Sequence, residues 1–119
     1  MSKPVVLVVV AALALAASAS AKQTSVSVST AASPHTGAES TVTVRVSLRG
    51  KPYAKPGWRP TVYLVREGAF LPAATYRAAA VAPGTFRAKV VFPRAGAWKY
   101  VIPDPVMGDW TFVAPHVAR

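Results

Sequence analysis

With two histidines, four acids and no cysteine, this chain of 119 residues is poorly supplied for acid–base, nucleophilic or metal chemistry. His35 stands in the polar turn Pro34–Gly37, and His116 follows Pro115 near the C-terminus. Each reads as an exposed loop histidine; a site joining them would require two distant stretches of chain to meet. Asp104 and Asp109 flank Gly108 in one loop. Two carboxylates fall short of the six to eight oxygens that calcium takes, so turn formation and charge balance are expected of them. No Gly-x-Ser-x-Gly elbow, cysteine nucleophile or phosphate-cradling glycine loop accompanies these residues. The expectation is a protein that is not an enzyme, with no cofactor and no metal site.

Contact chemistry is better represented. Tyr53 and Trp58 are interleaved with Lys51, Lys55 and Arg59 in the stretch Arg49–Pro60. Aromatic faces beside cations suit an anionic polymer or a partner protein. Trp58 has a second reading, the favoured one, as a lid folded back on the end of the domain. Trp98 and Trp110 alternate in phase with other large apolar residues and are expected in the core.

The elements that position these residues repeat with a period of two. Val42, Val44, Val46 and Leu48 alternate with Thr41, Thr43, Arg45 and Ser47, which predicts a half-buried strand over 40–48. Phe86, Ala88, Val90 and Phe92 alternate with Arg87 and Lys89 over 85–92, and Trp98, Tyr100 and Ile102 do so over 97–102. Shorter strands are predicted over 24–29, 61–66 and 109–113. The segment 73–81 is the weakest: its alanines favour helix, but Tyr76 and its place between strands favour an edge strand. Turn residues recur every 8–12 positions or so, the rhythm of an antiparallel sandwich. Asparagine is absent, so Gly and Pro must make the turns. The fold class expected is all-β, an immunoglobulin-like antiparallel β-sandwich of about seven strands. In that arrangement Arg45, Arg77, Arg87 and Lys89 share the outer face of one sheet. A solvated outer face would need such residues in any case.

Residues 1–21 have the layout of a helical signal peptide: Lys3, the apolar run Pro4–Ala17, then small residues with Ala19 and Ala21 in an A-x-A arrangement. The run is fourteen residues long, short of the ~20 that a spanning helix needs. Cleavage is the favoured reading, and retention as an anchor the other. Removing Lys3 with the leader leaves thirteen Lys and Arg against four acids, a charge of +9 in place of +10. Such an excess attracts anionic envelope polymers, acidic lipid surfaces or nucleic acid without naming a specific one.

The segment Pro83–Tyr100 follows the pattern P-G-x-[YF]-x-A-x-[VF]-x-[FL]-x-x-[AP]-G-x-W-x-[YV] and resembles small exported immunoglobulin-like modules of the YtkA-like and FixH-like type. The resemblance implies a signal or anchor, a strand–turn–strand of this form and no active site. It also implies copper handling or oxidase assembly, for which this chain would offer His35, His116 and Met107. CopC-like carriers begin the mature chain with histidine, where this one has Lys22.

Together these readings give residues 1–21 as signal peptide and 22–119 as one basic sandwich domain, secreted or held in the cell envelope. Its expected role is binding or accessory, through Arg45, Arg77, Arg87 and Lys89 or through Tyr53, Trp58 and Arg59. The partner is an anionic envelope polymer or another envelope protein, with no specific nucleic acid, and with membrane contact only through an uncleaved leader. Extracytoplasmic copper handling is the alternative.

Overall fold

The computed structural model describes residues 23–31 and 33–119; the predicted leader lies outside them. Nine strands follow one another: β1 (Thr24–Thr30), β2 (Glu39–Leu48), β3 (Lys51–Pro52), β4 (Thr61–Arg66), β5 (Ala74–Arg77), β6 (Ala79–Ala82), β7 (Thr85–Val91), β8 (Trp98–Pro103) and β9 (Asp109–Val113). There is no helix among the described residues. Two antiparallel sheets pack as a sandwich. One has the order β1-β2-β7-β6, with β3 paired to β2; the other has the order β9-β8-β4-β5.

Alternation decides which side chains meet between the layers. Val42, Val44, Val46, Phe86, Ala88 and Val90 face Val62, Leu64, Trp98, Tyr100 and Ile102, and all are buried. Phe92, Trp98 and Tyr100 form an aromatic centre, with Phe92–Trp98 centroids 5.7 Å apart at 63°. Such edge-to-face contact adds to the area these rings bury. The Trp98 indole N–H donates to the Arg94 carbonyl at 2.9 Å. Among the described residues, every core side chain lies between Val26 and Val117.

The segment 73–81 corrects the expectation of a single edge strand. It breaks at Ala78, which is wholly buried. The part before it pairs with β4, placing Tyr76 opposite Val62; the part after it pairs with β7. The chain therefore crosses from one sheet to the other. An alanine run carries no preference for either face, so nothing in it resists the crossing. Tyr76 then ties the two layers. Its hydroxyl donates to the Val91 carbonyl (3.2 Å) and accepts from the Val91 amide (3.0 Å), serving backbone groups that β6 is too short to reach.

Two turns are made in ways composition alone did not reveal. Arg49 and Gly50 join β2 to β3 with φ of 53° and 79°, the positive pair that a two-residue hairpin turn needs. Arg49 fills the place often given to asparagine. Gly84, in the turn just before β7, has φ +72°, and a Cβ there would lie 2.8 Å from Pro52 Cβ and 2.8 Å from the Val46 carbonyl oxygen. Glycine is required twice over at that position.

Candidate functional site

The outer face of the β1-β2-β7 sheet is built by register. Ser27 pairs with Arg45 and Ser29 with Thr43; Thr85 pairs with Arg45, Arg87 with Thr43, and Lys89 with Thr41. Since Val44 and Phe86 point into the core, these alternate residues point out. Arg45, Arg87 and Lys89 are all exposed. Arg45 and Arg87 are diagonal neighbours, a relation that sets residues about 7–8 Å apart. That is within the screening length of about 8 Å at physiological salt. Arg87 therefore repels Arg45 across the strands and Lys89 two positions along its own strand, and a bound anion relieves the repulsion. Hydroxyls of Ser27, Thr41, Thr43 and Thr85 stand between them as hydrogen-bond donors. The acid on this face is Glu39, at its far corner opposite Val91.

Arg77 does not belong to that face. It lies in β5 opposite Thr61, in the other sheet, because the chain crosses at Ala78. The expected group of four cations is thus a group of three.

The loop carrying Tyr53, Trp58 and Arg59 turns its rings inward. Trp58 meets Tyr53 at 5.1 Å and Phe86 at 5.4 Å, both edge-to-face at 84°. Tyr53 and Trp58 are half-buried against the core, which is the lid arrangement. Lys55 and Arg59 remain exposed beside them. A shallow groove of about 390 Å³ runs between this loop and Ala80, Ala82 and Phe86.

Asp104 is a structural hub. Its Oδ2 accepts from Thr24 Oγ1 (2.8 Å) and from the Trp110 indole N–H (2.6 Å). Its Oδ1 accepts from the amides of Val106 (2.7 Å) and Met107 (3.2 Å). Burial pushes the carboxyl pKa up, but these donors together outweigh burial and hold it below the usual carboxylate range. Trp110 is half-buried rather than central, because its N–H turns to this carboxylate and its ring stacks on Phe112 at 6°. Tyr100 bonds the Thr30 hydroxyl at 2.7 Å. Burial raises its pKa, with the Thr30 bond acting in the opposite direction.

The segments bearing the two histidines do meet. The C-terminal tail runs parallel to residues 34–36, with Thr36 N donating to Ala118 O (2.8 Å) and Ala118 N to Pro34 O (3.0 Å). Both imidazoles are exposed, and His35 Nδ1 lies 3.4 Å from the Arg119 carbonyl oxygen. Met107 is held by Asp104, whose Thr24 partner opens β1, whereas these segments meet beyond the end of β1. Among the described residues no three His, Cys, Asp or Glu side chains converge as metal ligands. Sequence reading missed the Thr24–Asp104 and Tyr76–Val91 bonds, since both join residues whose proximity depends on the finished topology.

Comparison with known proteins adds no assignment: no family model matches the chain, and no curated protein matches it.

Proposed function

We propose that this protein is an exported, non-enzymatic binding module that holds an anionic polymer on the outer face of its β1-β2-β7 sheet. The fold we assign is immunoglobulin-like. Lettered in chain order, β1, β2, β7 and β6 take the places of strands A, B, E and D, and β9, β8 and β4 those of G, F and C, with β5 added beside C. The observation that carries the binding reading is the row Arg45, Arg87 and Lys89, with Arg87 repelling the cation on either side and hydroxyl donors beside all three. A polymer with regularly spaced negative groups satisfies both at once. The rigid sheet supplies the spacing, so little ordering is needed on binding.

Retention on an immobilised anionic polysaccharide such as heparin tests this. The variant Arg45→Ser/Arg87→Ser/Lys89→Ser should elute at markedly lower salt than Lys51→Gln/Lys55→Gln/Arg59→Gln, which loses the same charge from another surface. Equal shifts for the two triples would mean net charge without a site, and the reading would fall.

A further inference from the structure

The register gathers a second set of residues at one end of the sandwich. Thr24 pairs with Leu48, so β1 begins beside the Arg49–Gly50 turn, and the Arg49 amide donates to Gln23 O at 2.9 Å. Thr24 also bonds Asp104, which brings the β8–β9 loop to the same end. There Val106 and Met107 are 65% and 71% exposed, although their amides are fixed by Asp104. This is an apolar tip on a rigid mount. Exposed Arg49 in the β2–β3 turn, Lys51 in β3, and Lys55 and Arg59 in the β3–β4 loop adjoin it. The acids here are Asp104, turned inward on its donors, and Asp109 at the start of β9. Glu39 and Glu67 stand at the opposite end, Glu39 opposite Val91 and the Glu67 amide bonded to Ala97 O.

We propose that this end lies against a bilayer of anionic lipid, with Val106 and Met107 entering the headgroup layer and the four cations resting on lipid phosphates. Charge complementarity is one ground: an apolar tip and a basic ring are each weak attachments, and together they make a stable one. The chain outside the described residues is the other. It reaches Gln23 from Lys22 and from the apolar run Pro4–Ala17. Five residues separate that run from Gln23 and extend no further than about 18 Å. A leader kept in a membrane would hold this end and no other at the surface. The sequence alone allowed membrane contact only through the leader; the fold adds a surface that acts without it. The polymer face lies along the side of the sandwich, so this inference does not depend on the polymer reading.

The chain has no cysteine, so Met107→Cys and Phe70→Cys each create a single labelling site. Phe70 is 98% exposed in the β4–β5 loop at the opposite end. Each variant of the polypeptide 22–119 is labelled with a polarity-sensitive dye, checked for native near-ultraviolet circular dichroism, and mixed with vesicles. With phosphatidylglycerol in phosphatidylcholine, the dye at 107 should shift to the blue and the dye at 70 should not. Vesicles of phosphatidylcholine alone should shift neither. Lys51→Gln, Lys55→Gln and Arg59→Gln should each weaken vesicle partitioning about fivefold; Arg45→Ser should leave the shift at 107 in place. A shift at 70 instead of 107 overturns the proposal. So does binding with both dyes still in water, which is adsorption by charge alone. A shift at 107 that follows protein concentration without vesicles assigns the tip to a second copy of the chain and overturns it too.

Discussion

Thr24 and Asp104 are 80 positions apart and joined by a buried hydrogen bond of 2.8 Å. The bond ties the first strand of one sheet to a loop of the other, and the same carboxylate organises that loop. Asp104→Ala would strand the Thr24, Trp110, Val106 and Met107 donors and should cost about 2–4 kcal/mol in denaturant unfolding. Because the folded carboxyl is more acidic than the unfolded one, its contribution is complete above the unfolded pKa of about 3.9 and fades as pH falls through the folded value. The stability gap between the wild type and Asp104→Asn should therefore be full at neutral pH and narrow below about pH 4. A gap that stays constant into strong acid would remove Asp104 from this role.

Gly84 and Gly37 separate two costs of replacing glycine. Both have positive φ, but a Cβ at Gly37 meets nothing within 4 Å, whereas at Gly84 it collides with Pro52 and Val46. Gly37→Ala should lose about 1 kcal/mol for backbone conformation alone. Gly84→Ala should lose about 2–4 kcal/mol, because collision with neighbouring backbone adds to it. Matched urea titrations decide the order.

The Tyr76 hydroxyl completes the edge of β7 where β6 falls short. Tyr76→Phe should cost about 1 kcal/mol or somewhat more and speed hydrogen exchange at the Val91 amide at least tenfold. Tyr100→Phe removes a bond to Thr30 instead and should leave the Val91 amide protected. Exchange followed by NMR distinguishes the two, since both changes lower stability.

Strand positions could be read from the sequence where branched or aromatic residues alternate with polar ones, as at Val42, Val44 and Val46 or at Trp98, Tyr100 and Ile102. Each such residue has a clear preference for one face. The reading failed at 73–81, where alanine after alanine fits either sheet, and Arg77 was consequently assigned to the wrong face. The contacts of Tyr76, Asp104 and Tyr100 were not legible, because each hydroxyl or carboxylate finds its partner only after the layers close. Of the candidate surface, Arg45, Arg87 and Lys89 followed directly from alternation. The basic end around Met107 needed the register, since its residues come from three separate connections and the short strand β3.

If the polymer face acts as a unit, charge at Arg45 and Arg77 should not be equivalent. Arg45→Ser should lower the salt at which the protein leaves an anionic polymer more than Arg77→Ser does. Removing Arg45, Arg87 and Lys89 together should reduce the slope of log affinity against log salt by roughly two to three. Equal effects of Arg45→Ser and Arg77→Ser would remove the distinction between the sheets.

The chain enters at the Gln23 end and leaves where Val117 exchanges backbone bonds with Gly96, at the other end of the strands. Tension applied between the two termini would therefore pull along the strands. It would load the seven pairs between β1 and β2 in shear, so that they yield together rather than peel apart one after another. A domain threaded this way resists stretching better than its modest core suggests.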